Sequence, residues 1–118
     1  MALLNFQERF ADDVESGKKR QTIRRQRKHP IKLGETLYLY TGLRTKKVRK
    51  LRTDKCKSLD NIKIDGMSGI YINKERRYYY FEYLDRFAKI DGFPSWREMC
   101  IWFSETYGLP FEGILIKW

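Results

Sequence analysis

Short segments with the alternating pattern of β-strands occupy the middle of this sequence, and they restrict the folds that the chain can adopt. In ETLYLYTG, Leu37 and Leu39 alternate with two tyrosines, which is typical of a half-buried strand. Glycines separate several of these segments, as expected where one strand turns into the next. Further strand candidates are residues 22–24, KVRKL, NIKI, GIYI and the C-terminal FEGILIKW. The chain must therefore form at least one sheet of short strands.

A helical pattern precedes the first of these strand candidates. Asn5 can act as an N-cap because Glu8 follows three residues later, as in a capping box. Apolar residues then recur at every fourth position, and Gly17 stands where a helix commonly ends. The pattern predicts a short amphipathic helix over residues 6–16.

The later part of the chain predicts two more helices. RRYYYFEYLDRFAKIDGF predicts a strand that enters a short helix, since residues 78–81 are β-prone and the following apolar residues have helical spacing. Ser95 and Glu98 form a capping box for a further helix whose apolar stripe ends at Gly108. The order of elements predicts one α+β domain over residues 1–118, a small mixed β-barrel or a curled sheet with flanking helices.

The net charge of +10 is concentrated in the first half of the chain. Residues 1–57 contain 17 Lys or Arg against 6 Asp or Glu, whereas residues 58–118 contain 8 against 9. This asymmetry indicates a polyanionic partner. Nucleic acid is favoured over a membrane because no amphipathic basic helix or long apolar run accompanies the charge. The alternative is a solvated basic face that only aids solubility.

Composition argues against several other classes of protein. Cys56 and Cys100 lie far apart, and His29 is the only histidine, so neither a disulfide scaffold nor a zinc site is expected. No motif calls for a cofactor. The start, MALLNFQERF, is too polar for a signal peptide, and there is no run of about 18 apolar residues. We expect a cytoplasmic protein that does not enter the membrane, and a monomer.

The segment SGKKRQTIR places a lysine, a threonine and an arginine close together. Thr22 and Arg24 share one strand face, and Lys19 reaches that face only if the chain turns between Lys19 and Thr22. A hydroxyl needs a base to become a nucleophile, and neighbouring cations lower a lysine pKa as that role requires. Lys19 and Thr22 are therefore candidate catalytic residues. The alternative is a phosphate-binding turn, in which the same side chains hold a nucleic-acid backbone.

Basic residues near this segment and in RTKKVRKLRTDKCK are candidates for binding nucleic acid. Cations along a backbone, combined with tyrosines that stack on bases, suit a single strand. The tyrosines of LYLY could instead pack against the sheet. The residues that we predict to contact substrate or nucleic acid are Lys18, Arg20, Arg24, Arg25, Tyr40, Arg44 and Lys46.

Asp91 in IDGF is the acidic residue most suggestive of a site. It precedes a glycine turn and the capped helix that begins near Ser95. On the residues alone, an Asx-turn before Gly92 is the favoured interpretation, and a role in catalysis is the alternative.

Four segments together resemble a known family. The order and spacing of NFQERFADDVESGKKRQTIR, LGETLYLYTG, IDGFPSWREMCIWF and GLPFEGILIKW resemble the ASCH domain family, which is related to PUA domains, and especially its small members from bacteriophage and prophage genomes. The resemblance covers essentially the whole chain. It implies a PUA-like fold, which is a small β-barrel with helices around it, and a cleft for a nucleotide or RNA.

One bacterial branch of that family removes the acetyl group from N4-acetylcytidine. Residues 17–24 agree with its G-[RK]-K-x-x-T-I-R segment, so the resemblance implies that Lys19 is the base that activates Thr22. The branch also has a glutamate before the later helix. Asp91 lies nearest to that position, although its side chain is one methylene shorter.

These observations predict an RNA- or nucleotide-binding ASCH domain protein with a basic cleft, which could act on a modified nucleoside. One alternative is an amidohydrolase that deacetylates N4-acetylcytidine through Lys19, Thr22 and Asp91. A ribonuclease is a further alternative, as is a phage accessory protein whose basic face binds a host protein.

Overall fold

The chain is a mixture of short strands and helices. The computed structural model describes residues 2–66, 69–77 and 81–118, which form eight strands and three helices. The elements are β1 (Ala2–Phe6), α1 (Glu8–Ser16), β2 (Gln21–Arg24), β3 (Thr36–Thr41), β4 (Arg49–Lys55), β5 (Ser58–Ile64), β6 (Ile70–Ile72), β7 (Glu75–Arg77), α2 (Phe81–Ile90), α3 (Trp96–Thr106) and β8 (Phe111–Lys117). The predicted α+β class is confirmed.

The described strands form two sheets. The first has the order β1-β3-β4, in which β1 runs parallel to β3 and β4 runs antiparallel to it. The second has the order β2-β8-β5-β6-β7, and all its neighbouring strands are antiparallel. No described strand pair joins one sheet to the other. These pairings therefore do not close a barrel, which was one of the two architectures that the sequence predicted.

A corner between β4 and β5 connects the two sheets instead. The strands are separated by only Cys56 and Lys57. The Cys56 N–H donates to the Glu35 carbonyl just before β3, and the Lys57 N–H donates to the Lys117 carbonyl of β8. The chain thus passes from one sheet into the other without a loop, and it bends the two sheets around a common core.

The prediction for the N-terminus was wrong in one respect. Residues 2–6 form β1, and helix α1 begins only at Glu8, so Asn5 is a strand residue and Gln7 is the N-cap. Ala2, Leu4 and Phe6 alternate towards the core, and β1 pairs with β3. Pairing with β3 outweighs the local preference of these residues for a helix cap. The sequence pattern could not show this, because a parallel partner lies far along the chain.

The helices contribute buried side chains to the same core as the strands. Helix α1 buries Phe10, Ala11 and Val14, and α3 buries Trp96, Met99, Cys100 and Phe103. The predicted capping box of α3 is confirmed, since the Ser95 side chain accepts a hydrogen bond from the Glu98 N–H at 3.2 Å. The predicted strand before α2 falls partly on residues 78–80, which lie outside the described residues. Among the described helices, none is long and apolar enough to cross a membrane.

Candidate functional site

A pocket of about 190 Å³ lies between α1, β2 and the connection from α2 to α3. Its polar lining includes Lys19, Thr22, Arg24 and Asp91, and aromatic rings from α1 and α3 form much of the rest. We call it the Lys19 pocket. The structure therefore brings together all three predicted catalytic residues and one predicted binding residue.

Lys19 reaches the pocket because the chain turns sharply after α1. The helix ends at Gly17, which has a left-handed φ of 86°, and the Lys19 N–H then donates to the Asp13 carbonyl at 2.9 Å. The side chain is only 3% exposed. Its Nζ donates to the Asp91 carbonyl oxygen at 2.5 Å and lies 5.1 Å from the centre of the Phe10 ring. This is the turn that Lys19 needs to reach the same site as Thr22.

Asp91 follows α2 in a turn that the backbone stabilises by itself. The Gly92 N–H donates to the Lys89 carbonyl and the Phe93 N–H to the Ala88 carbonyl, as in a Schellman motif. The carboxylate points elsewhere. Its Oδ1 accepts from Gln21 Nε2 at 3.2 Å and lies 3.4 Å from Lys19 Nζ. The described hydrogen bonds thus direct the carboxylate towards β2, in place of the expected Asx-turn.

Burial shifts the pKa values of this ion pair in opposite directions. It lowers the pKa of Lys19 below the usual 10.5, although attraction to Asp91 opposes the shift. It raises the pKa of Asp91 above the usual 3.8, against the opposing effects of the Lys19 charge and the Gln21 hydrogen bond. Both shifts favour the neutral forms, so the free-energy difference between the ion pair and the neutral pair is smaller here than in water.

Thr22 and Arg24 share one face of β2, as their spacing predicted. Arg24 Nε donates to Thr22 Oγ1 at 3.0 Å, and a terminal nitrogen of Arg24 donates to the Asn5 carbonyl at 2.7 Å. The guanidinium also lies 4.9 Å from the centre of the Phe6 ring. The described hydrogen bonds include none between Lys19 and Thr22. In this state Lys19 is directed at Asp91, and Thr22 is held by Arg24.

Four other predicted binding residues lie beside the pocket but do not contribute to its described lining. The Arg25 guanidinium lies 4.5 Å from the centre of the Tyr107 ring, which itself lines the pocket. Tyr40 is opposite Asn5 in the sheet, and the loop after β3, which carries Arg44 and Lys46, is tied to Asn5 by the Leu43 N–H.

Lys18 and Arg20 lie away from the pocket, unlike Lys19 between them. Lys18 is exposed and faces the surface of α2 near Glu82 and Arg86. Arg20 forms an ion pair with Asp54 at 3.2 Å and donates through Nε to the Trp118 carbonyl. The contacts of Arg20 hold β4 against the C-terminus, which is a structural role that its basic character did not suggest.

Sequence reasoning missed Gln21 and the aromatic wall. Gln21 is buried, and it holds the Asp91 carboxylate from the strand face opposite to Thr22. The wall includes Phe93, whose ring centre lies 5.4 Å from that of Phe10, and Tyr107. Aromatic residues in a helical stripe, such as Tyr107, or in a turn, such as Phe93, look the same in sequence whether they pack in a core or line a cavity.

Neither cysteine is an activated thiol, because burial raises the pKa of both. Cys56 and Cys100 are buried free thiols, and burial raises the pKa of Cys100 to about 11. A thiol with that pKa carries little thiolate at neutral pH. No three histidine, cysteine, aspartate or glutamate side chains among the described residues are arranged to hold a metal ion.

Comparison of the chain with protein-family models, with curated proteins and with solved structures finds no significant match.

Proposed function

We propose that this chain is a PUA-like domain of the ASCH type that binds a nucleoside or nucleotide, free or within an RNA, in the Lys19 pocket. In this proposal the protein acts in the cytoplasm as a monomer. The observation that carries it is the convergence of Lys19, Thr22, Arg24 and Asp91 on one aromatic-walled pocket.

The size and chemistry of the pocket suit one nucleobase. Its volume of about 190 Å³ is below the roughly 300–1,000 Å³ typical of drug-sized ligands. Aromatic faces can stack on a base, and Asp91 is an acceptor of the kind that binds the cytosine amino group. Lys19 and Arg24 are donors for a ring carbonyl or a phosphate. A pyrimidine with an amino group beside a carbonyl offers the complementary pattern.

The arrangement of the two sheets supports the proposal of a PUA-like fold. The corner at Cys56 and Lys57 folds two short sheets around one core, with helices on the outside, as expected for an open or incomplete barrel. The basic loop that carries Arg44 lies next to Asn5 at the edge of the pocket. The position of this loop supports the proposal, because its cations could contact the phosphates next to a base in the pocket.

NMR can test the binding proposal directly. Cytidine, uridine, adenosine and guanosine would be titrated separately into the ¹⁵N-labelled protein. We expect saturable shifts that centre on the backbone amides of Lys19, Thr22 and Gly92, with cytidine binding best. Shifts confined to other surfaces, or no shifts with any nucleoside, would contradict the proposal.

Hydrolysis of an N4-acylated cytidine is the second candidate, and the opposite pKa shifts of Lys19 and Asp91 favour it. Neutral Lys19 would take the Thr22 hydroxyl proton while Oγ bonds to the acyl carbon, and Arg24 would stabilise the resulting oxyanion. Cleavage of the C–N bond would release cytidine, whose amine takes the proton from Lys19. Water would then hydrolyse the acyl–Thr22 ester, releasing the acid and restoring the hydroxyl.

Chromatography of N4-acetylcytidine incubated with the protein tests this chemistry. We expect cytidine and acetate from the wild type, little product from Thr22→Val, which keeps the shape but loses the hydroxyl, and partial activity from Thr22→Ser. Turnover by Thr22→Val equal to that of the wild type would exclude Thr22 as the nucleophile. An RNA included in the same incubation tests the ribonuclease alternative, which predicts chain cleavage that Lys19→Met abolishes.

A further inference from the structure

A second and larger concavity lies on the solvent face of the five-stranded sheet. Its volume is about 770 Å³, and strands β5, β6 and β8 provide its floor with Lys63, Tyr71 and Glu112. We call it the sheet groove. Lys63 is the direct neighbour of Glu112 on one side and of Tyr71 on the other, so the three side chains form a row across the sheet.

The sheet groove carries an excess of positive charge. Its lining contains Arg25, Lys63 and Lys74, whereas Glu112 is the acidic residue among them. Ion pairs in the described part of the chain include none between Lys63 and Glu112. Lys63 Nζ lies 5.9 Å from the centre of the half-buried Tyr71 ring. The groove thus combines cations with a half-buried tyrosine ring, and surfaces that bind single strands use the same residue types.

Contacts with the neighbouring strands hold both walls of the groove in place. A Cβ on Gly113 of β8 would overlap the Arg24 carbonyl oxygen at the end of β2. Because glycine has no side chain, β2 can lie close against β8 here, and Arg25 follows on one wall of the groove. The opposite wall carries Lys74, in the turn between β6 and β7. The Asn73 side chain fastens this turn to β5 through Asp60 Oδ1 at 2.8 Å and the Asn61 N–H at 3.0 Å.

Arg25 lies at the boundary between the sheet groove and the Lys19 pocket. It lines the groove, while its guanidinium packs over Tyr107, which lines the pocket. The two concavities are therefore adjacent at Arg25 and Tyr107, as binding of one strand to both would require. The aromatic contact also holds the guanidinium in a defined orientation towards a phosphate at this boundary.

We propose that the sheet groove binds the nucleotides that flank the base in the Lys19 pocket, so that the ligand is single-stranded RNA and not a free nucleoside. This inference rests on the proposed function. Lys63, Lys74 and Arg25 bind phosphates, and Tyr71 stacks on a base. A duplex does not fit this arrangement, because its bases are already stacked and paired and cannot reach the pocket.

Fluorescence anisotropy with a labelled cytidine RNA of about eight nucleotides tests the groove. The Lys63→Gln/Lys74→Gln variant should bind this RNA about fivefold more weakly or worse, and its salt slope should fall by about 1.4, since each lost cation accounts for roughly 0.7. Tyr71→Ala should weaken binding by about fivefold or more, through lost stacking. The matched control is Lys32→Gln/Lys89→Gln, which removes the same charge at exposed positions outside both concavities.

Cytidine binding, measured for the same variants, separates the groove from the pocket. We expect the groove variants to bind cytidine like the wild type. If they also bind RNA like the control variant, or if the wild type binds RNA no better than cytidine, the groove is excluded while the pocket stands. If the wild type binds neither cytidine nor RNA, the proposed function fails and this inference fails with it.

Discussion

At the scale of single residues, the buried Lys19–Asp91 pair is both a structural contact and the centre of the proposed site. The two residues are 72 positions apart in sequence. Lys19 Nζ also donates to the Asp91 carbonyl, just beyond the C-terminus of α2. Cations are favourable there because the C-terminal end of a helix carries partial negative charge. A substitution of Lys19 or Asp91 should therefore change both the stability of the fold and the affinity for a ligand.

Single substitutions of this pair should destabilise the protein more than the double substitution does. Lys19→Met or Asp91→Leu alone leaves an unpaired buried group and should lower the free energy of unfolding by about 3–5 kcal/mol. Lys19→Met/Asp91→Leu removes both charges, so its loss should be smaller than the sum of the single losses by at least about 2 kcal/mol. Urea denaturation of the wild type, the two single variants and the double variant measures these free energies. Additive losses would show that the two charges do not interact.

The pKa of Lys19 should respond to its partner. Burial already lowers this pKa below 10.5, and the Asp91 carboxylate opposes the shift. Asp91→Asn should therefore lower the Lys19 pKa further, which a ¹³Cε NMR titration measures. Because the folded pKa is below the unfolded value, the contribution of Lys19 to stability is present above pH 10.5 and is lost as the pH falls through the folded pKa. A higher Lys19 pKa in Asp91→Asn would contradict the assigned electrostatics.

At the scale of elements, the turn after α2 determines where Asp91 and Lys19 meet. Gly92 has a φ of 100°, and a Cβ there would lie 2.8 Å from Phe10 Cδ1 and 3.3 Å from Lys19 Cδ. Gly92→Ala should lower the free energy of unfolding by about 2 kcal/mol more than Gly108→Ala does, through overpacking. It should also weaken nucleoside binding, because the added methyl group displaces Lys19.

Gly108→Ala is the matched control for this turn. Gly108 has a similar φ of 84°, but a Cβ there meets nothing within 4 Å, so the variant carries backbone strain without a clash. It should leave nucleoside binding unchanged. Thermal unfolding and calorimetric titration compare the two variants, and equal effects on stability and binding would show that the packing around Gly92 does not position the site.

Local pattern predicted most of the elements but not their partners. The alternation around Leu37 predicted β3, and the Ser95 capping box predicted α3, because each depends on neighbouring residues. Strand β1 was missed because it pairs with β3 in parallel, and Asn5 looked like a helix cap. The division of the strands into two sheets was not predicted, since the corner at Cys56 depends on hydrogen bonds to residues distant in sequence.

The candidate site was predictable to the same limited degree. Lys19, Thr22 and Arg24 are close in sequence, so their association could be predicted, although not the orientation of Lys19 towards Asp91. Asp91 itself was ambiguous, because an Asx-turn would place the same residue types before Gly92. Its contact with Gln21 depends on the docking of α2 against β2, which no local pattern encodes.

At the scale of the whole molecule, the uneven charge predicts how the protein approaches RNA. The basic loop with Arg44 and Lys46 is exposed and lies beside the Lys19 pocket without lining it. Arg44→Gln/Lys46→Gln should therefore weaken RNA binding and reduce its salt slope by about 1.4, while cytidine binding stays unchanged. Anisotropy between about 50 and 200 mM salt measures the slope, with Lys32→Gln/Lys89→Gln as the control. Equal slopes for the two variants would mean that the loop does not contact the backbone.

Calorimetric titration of cytidine into the wild type, Arg24→Gln and Arg97→Gln tests the central claim most directly. Arg24 lines the Lys19 pocket, whereas Arg97 is exposed on α3 outside it, so the two variants lose the same charge at different places. We predict saturable one-to-one binding to the wild type and to Arg97→Gln, and binding at least about tenfold weaker to Arg24→Gln, since a buried charged hydrogen bond is lost. Absence of binding to the wild type, or equal affinity in all three proteins, would contradict the assignment of this pocket as a nucleoside site.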